Sequence, residues 1–434
     1  MVSDFLFRSH QGRRDYLKIL ITNREEDKKS MTDQALSDLK VIEWGSFISA
    51  PFCTKLLADM GAEVIKVEPP ASGDEARRHG PFPKDIPDKE KSGLFLYLNT
   101  NKYGVTLDPT KPAGKEVFLK LIKDADVFVQ NYPYPTVKKA GLDYESLKKI
   151  NPQLVMISLS PYGLTGPYKD WKAYDINICA LGGITAASGY PEREPIVPPQ
   201  CQAHFNAGTQ AAVVTMISVF NRDMTGEGIH IDLSEAQCWA TFHIGHGAQA
   251  FLDENRVRTR SGFRVQHQAF TDSVYPCKDG YVCIDTPQNR QWKKFVEVMG
   301  NPEWANDPMF QDRIKIVDEY PEKADALLEP WLMSHTKEEI YKLCQDNGVP
   351  AAPVRTVENV AKNEHLKVRN YFVDIDHPIA GKLKYPGVGY KFTETPFTVR
   401  RAAPLLGEHN EAIFSKKLGY TKADLATLKK GKVI

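Results

Sequence analysis

A chain of 434 residues is long enough for two domains, and 42% hydrophobic with 26% charged residues describes an ordinary globular protein. Fifty-six lysines and arginines against 55 acids leave a net charge of +1, so no general pull towards nucleic acid or a membrane surface is expected. Seven scattered cysteines without CxxC spacing argue against a disulfide framework and fit a reducing cytoplasm. No apolar run approaches the roughly 18 residues of a membrane helix.

Residues 1–37 read as an N-terminal extension, rich in arginine but without the apolar core of a signal peptide. Leu39–Trp44 is strand-like, Phe52–Met60 has helical spacing with Gly61 placed as a C-terminal cap, and Glu63–Val67 is a second strand. This strand–helix–strand unit opens a parallel α/β sheet. Its first turn, Gly45–Pro51, lacks GxGxxG, so a dinucleotide is a poor expectation. A helix over Lys115–Asp124 and a strand over Asp126–Gln130 follow. Asn131–Pro135 breaks the strand, Lys138-Lys139 opens a short helix, and Leu154–Leu159 is another strand. Arg77, Arg78, Lys102, Lys138 and Lys139 recur near strand ends, where they read equally as phosphate ligands or as solvated surface charge.

From Ser158 to Gly208 the chain is rich in turns. A helix starts near Tyr174–Asn177, where Asp175 reads first as its cap. A Pro-rich loop ends at Gln202-Ala203-His204, and Gly208–Phe220 is a buried helix. Glu235–Phe251 is helical. Its His243 and His246 share a face without an acidic partner, which points to packing rather than a metal. Residues 253–272 form a basic loop with Arg256, Arg258, Arg260 and Arg264. Tyr275–Ile284 is a hairpin turning at Asp279-Gly280, Trp292, Trp304 and Trp331 are core candidates, and Val349–Val354 is an extended crossing. The expected division is a large domain over 38–225, linkers and a small domain over 226–354, and a return to the large domain over 355–434.

LKVIEWGSFISAPFCTKLLADMGAEVIKVEPP, NTNKYGVTLD, ADVFVQNY, NPQLVMISLSPYGLTGP, YPCKDGYV, GVPAAPV and RAAPLLGEH together resemble the class III CoA-transferases, the CaiB/BaiF family, in the family's order from Leu39 onward. The resemblance implies an α/β fold with a Rossmann-like large domain, a smaller α+β domain, and two chains interlocked like linked rings. It implies CoA thioesters as substrates and no metal. The positions matching the family's CoA contacts are Ile48, Ser49, Leu107, Asp108, Asn131, Tyr132, Lys139, Lys172 and Tyr174. Ile48 replaces a polar residue, Pro69 an arginine and Thr110 a lysine, so a weak or vacant CoA site is expected here.

The family's nucleophile is an aspartate that carries CoA as an aspartyl thioester. His204 stands at that position, and an imidazole has no carbonyl carbon to hold the thioester. The family's racemases pair a histidine, here Tyr174, with the same aspartate, so that dyad is missing too. Asp175 is the nearest carboxylate but is not at the nucleophile position. The resemblance therefore implies the non-catalytic chain of a heteromer whose homologous partner supplies the aspartate, as in members that move CoA from succinyl-CoA to (R)-benzylsuccinate. Two alternatives stand beside it: a homodimeric CoA-ester enzyme using Asp175 or His204, and a CoA-binding or scaffold protein without catalysis.

Overall fold

The computed structural model describes residues 34–243, 251–252, 260–262 and 269–434. The expected roles of residues 1–33, His246, Arg256, Arg258 and Arg264 lie outside them. Residues 34–37, expected in the extension, belong to the fold: Leu36 N donates to Met60 O at 3.0 Å, and Gln34 Nε2 to Pro396 O at 3.1 Å.

A six-stranded sheet carries the larger part of the chain. It is built from β1 (Lys40–Trp44), β2 (Glu63–Glu68), β3 (Tyr103–Thr106), β4 (Val127–Gln130), β5 (Val155–Ser160) and β6 (Ile229–Ser234), in the order β3-β2-β1-β4-β5-β6. The β3-β2, β2-β1, β1-β4 and β4-β5 pairs are parallel. β4 and most of β2 and β5 are buried along their length, because a parallel sheet with helices on both faces has no wet side. Helices α1 (Ser49–Asp59), α2 (Pro112–Lys123) and α3 (Tyr134–Ala140) make the crossovers. Phe118, Phe128, Ile122 and Leu154 are buried in the core, each side chain contributing roughly 1.5–3 kcal/mol. Lys138 and Lys139 lie in the last turn of α3 rather than opening it, the usual place for cations on a helix. The edge strand β3 is covered by the tail: His409 N donates to Gly104 O at 2.9 Å and Thr106 N to Asn410 Oδ1 at 2.8 Å.

The described residues divide into two compact units, one of 34–159, 208–232 and 373–434, the other of 160–207 and the described part of 233–372. This differs from the expected boundaries at 226 and 355. The turn-rich stretch 160–207 belongs with the second unit, because α4 (Asp175–Leu181) packs with α6 (Glu235–His243) through Ile178, Cys179, Ala236 and Trp239. The boundary crosses α5 (Gln202–Thr225). The second unit also holds an antiparallel three-stranded sheet, β7 (Ser273–Cys277), β8 (Gly280–Ile284) and β9 (Ala351–Pro353). Its core gathers Phe270, Trp292, Phe295 and Phe310, with Trp304 and Trp331 partly buried against it. In the hairpin Cys277 faces Gly280, so the turn residues are Lys278-Asp279 and Gly280 already belongs to β8. Among the described residues no helix is long and apolar enough to cross a membrane, and no group of three His, Cys, Asp or Glu side chains could hold a metal.

Candidate active site

The strand order reverses direction between β1 and β4, and their carboxyl ends frame the crevice where open α/β sheets bind nucleotide-type ligands. The turn after β1 is laced to the end of β4. Ser46 N donates to Asn131 Oδ1 at 2.9 Å, while Asn131 Nδ2 donates to Ser46 O at 2.8 Å and to Ser49 Oγ at 3.1 Å. A side chain at Gly45 would stand 2.5 Å from Ala50 Cβ, so only glycine permits this approach. Ile48 and Ser49 are buried there. The Tyr132 ring stacks on Trp44 at 4.5 Å between centroids, and burial pushes its phenol pKa up, so it stays neutral. Beside this stack opens a cavity of about 620 Å³, lined by Tyr132, Leu107 and Asp108 and, from the far end of the chain, by Lys429 and Lys432. The structure thus gathers Ile48, Ser49, Asn131 and Tyr132 at one turn and places Leu107 and Asp108 against Tyr132. Lys139 is exposed on α3. Lys172 and Tyr174 are exposed and belong to the other compact unit.

Beneath the turn lies a group of charges with no sequence signature. Lys66, in the middle of β2, donates to Glu43 Oε1 and Asp74 Oδ2 at 2.6 Å each and to Gly45 O at 3.2 Å. Lys102 donates to Glu43 Oε2 at 2.9 Å and to Pro51 O at 2.8 Å. Asp74 Oδ1 accepts from Phe47 N at 2.9 Å and holds that residue at φ 68°, a left-handed conformation that disfavours a phenylalanine. Burial alone would raise the Glu43 pKa, but Lys102 and Lys66 outweigh it and bring it to about 2. Two cations suggested as phosphate ligands are excluded from that role. Lys102 is wholly buried on Glu43, and Arg77 is buried on Glu68 (Nε to Oε2, 2.7 Å) and Glu90 (2.7 Å). They hold the scaffold instead.

Position 204 lies on a helix, not at the end of a loop. Gln200 (φ 63°) and Cys201 (φ 54°) turn the chain through two left-handed residues, and α5 begins at Gln202 instead of Gly208. Gly208 is where α5 meets α1: an added Cβ would sit 2.7 Å from Ser49 O. The first backbone N–H groups of a helix need outside acceptors. Asp175 Oδ1 supplies one for His204 N at 3.1 Å, so Asp175 serves the start of α5 instead of capping its own helix, whose N-cap is Tyr174. His204 Nδ1 lies 2.8 Å from Glu235 Oε2, and both side chains are buried. Burial pulls the imidazole towards its neutral form. The hydrogen bond to Glu235 and the charges of Glu235 and Asp175 outweigh that, and the His204 pKa is raised. Glu235, the first residue of α6, is the partner that reading the sequence missed, because it stands 31 residues away behind a strand.

The family model described as CoA-transferase family III matches residues 36–410. The succinyl-CoA–D-citramalate CoA-transferase of Chloroflexus aurantiacus is 31% identical, covering 92% of this chain and 98% of that one. The succinyl-CoA–L-malate CoA-transferase beta subunit of the same organism is also 31% identical, over 93% and 99% of the two chains. Among solved structures, a CAIB/BAIF family protein from Brucella suis superposes with a TM-score of 0.78 at 29% identity, covering 88% of this chain and 99% of that one.

Proposed function

The chain belongs to CoA-transferase family III, and we propose that it is the subunit of a heteromeric class III CoA-transferase that lacks the nucleophile. The enzyme moves CoA from a donor such as succinyl-CoA to a carboxylic acid such as (R)-benzylsuccinate, a step of anaerobic toluene degradation. Two similar proteins are named for transfer from succinyl-CoA to small dicarboxylic acids, and one of those is named as a beta subunit. The finer assignment rests on the resemblance to the E subunit of succinyl-CoA:(R)-benzylsuccinate CoA-transferase. The homologous partner, interlocked with this chain, carries the aspartate.

One observation carries the reading. At position 204 the chain offers an imidazole bonded to Glu235, and the adjacent Asp175 is bonded to the backbone of α5. Neither arrangement presents a carboxylate to a thioester. In the proposed cycle the partner's aspartate attacks the donor thioester carbonyl, the C–S bond breaks, and a mixed anhydride forms. The departing CoA thiolate attacks the aspartyl carbonyl, releasing the donor acid and leaving an aspartyl-CoA thioester. The acceptor carboxylate then displaces the thiolate, which attacks the acceptor's acyl carbon, delivers the new thioester and restores the aspartate.

A second reading has one observation in its favour. A histidine whose Nδ1 is held by a carboxylate is oriented as acid–base histidines are, which suits a homodimer acting on CoA esters through His204. Co-expression with a same-fold chain that has aspartate at the position matching 204 separates the two. Transfer from succinyl-CoA to benzylsuccinate, citramalate and malate is measured with each chain alone and with both. Turnover is expected only with both; turnover by this chain alone replaces the first reading with the second.

A further inference from the structure

We propose that the C-terminal segment Lys429–Ile434 is a wall of the CoA-ester crevice, and that Lys429 and Lys432 bind phosphates at the nucleotide end of the substrate. The inference rests on the reading of that crevice as the CoA site. The lining of the cavity of about 620 Å³ combines the apolar Trp44, Tyr132 and Leu107 with three cations, Lys111, Lys429 and Lys432, and one acid, Asp108. A cavity lined by both aromatic rings and several cations suits a nucleotide, whose base is planar and whose phosphates are anionic.

The segment is built in. Val433 and Leu428 are buried in the core of the parallel-sheet unit. Asp108 N donates to Val433 O at 2.8 Å, and Lys111 Nζ donates to Gly431 O at 3.1 Å and Lys432 O at 2.8 Å. These bonds tie the loop after β3 to the C-terminal segment, and both line the cavity. Lysines near the end of a helix commonly offset its dipole, and both Lys429 and Lys430 lie in the last turn of α7 (Lys422–Lys430), but of the two only Lys429 lines the cavity. The dipole does not account for Lys432. That residue lies beyond the helix at φ 52°, where glycine is the unstrained choice, and it lines the cavity. A lysine in a left-handed position, lining a cavity with two other cations, is suited to an anionic ligand.

The test is calorimetric titration of the full-length protein, purified as it assembles, with CoA and with pantetheine, which lacks the phosphates. Lys429→Ala with Lys432→Ala is expected to weaken CoA at this chain's sites roughly tenfold or more, through loss of charge-assisted bonds, and to leave pantetheine unchanged. Lys432→Gly, which relieves the backbone while removing the charge, should be at least as stable thermally yet bind CoA more weakly. Lys430→Ala should bind as the parent does. Parent-like CoA binding by the double variant overturns the proposal, as does an equal loss for CoA and pantetheine. If the unsubstituted chain binds no CoA, the reading of the crevice falls and this proposal with it.

Discussion

The imidazole of His204 and the carboxylate of Glu235 meet at 2.8 Å in a buried site, one from the first turn of α5 and the other from the first residue of α6. Each lies at a helix N-terminus, where a carboxylate is favoured and a cation is not. The proton on the imidazole is therefore favoured by Glu235 and Asp175, which raise the His204 pKa, rather than by the helix. Removing one member of such a pair leaves the other buried without its partner.

The first prediction concerns stability. Glu235→Ala should destabilise the chain by roughly 3–5 kcal/mol, read by denaturant unfolding. The pH dependence follows from the raised His204 pKa. A group that binds its proton more tightly when folded contributes stability that is fully present below its unfolded pKa. That contribution is lost as pH rises through the folded value. The advantage of the parent over His204→Gln should thus be largest in mildly acidic solution and shrink above neutrality. A constant advantage from pH 6 to 9 would mean that the pair is not ionic.

The second prediction concerns the buried charges under the β1 turn. Glu43 has its pKa brought to about 2, so its stabilising contribution is present above the unfolded value and lost as pH falls through the folded one. Glu43→Gln should flatten that acid limb and cost roughly 3–5 kcal/mol at neutral pH, because Lys66 and Lys102 lose their shared partner. Glu43→Gln combined with Lys102→Met should cost less than Glu43→Gln alone. A larger loss in the double variant would contradict the electrostatic account.

How much of this was legible in the sequence depended on distance along the chain. β1, β2, β4 and β5 were readable because each is a short run rich in Val, Ile and other apolar residues. The start of α5 was not, since Pro198-Pro199 and two left-handed residues read as loop, and a helix beginning just after them has no apolar period until Gly208. Lys102 read equally as a phosphate ligand or as surface charge, and Lys66 only as part of a strand, because burial of a lysine is settled by partners such as Asp74 and Asn99 that only the fold brings together. Position 204 was identified by its neighbours in sequence. What holds it, Glu235 and Asp175, was set by packing of α4, α5 and α6.

A third prediction follows from the outer face of α5. Val213, Ile217, Phe220 and Met224 are 53–71% exposed and recur at helical spacing along one side. An apolar stripe of this kind is normally covered by a partner, and obligate interfaces bury more than about 2,000 Å². Expressed alone, the chain should be insoluble or form a homodimer without transferase activity, and co-expression with the homologous subunit should bring it into solution. A soluble monomer by light scattering, or a lone chain that transfers CoA, would end the heteromer proposal.

The fourth prediction is a pair of substitutions at position 204. If this chain does not carry CoA as a covalent thioester, His204→Ala should leave turnover of the assembled heteromer within a few-fold, whereas removing the partner's aspartate should lower it by several orders of magnitude. Turnover destroyed by His204→Ala with assembly intact would move catalysis into this chain. His204→Asp is the sharper variant, because it places at 204 the carboxylate that the proposed cycle requires. Its surroundings oppose it: the new carboxylate would stand beside Glu235 and near Asp175, both buried. Three acids crowded out of water cannot all ionise, and a protonated aspartate is a poor nucleophile. His204→Asp should therefore lower the melting temperature and add no second working site. The further change Glu235→Leu, which removes the opposing charge, should recover stability. Trapping of an aspartyl-CoA thioester at position 204 by mass spectrometry in the single variant would show that the pocket was competent all along and lacked only its carboxylate.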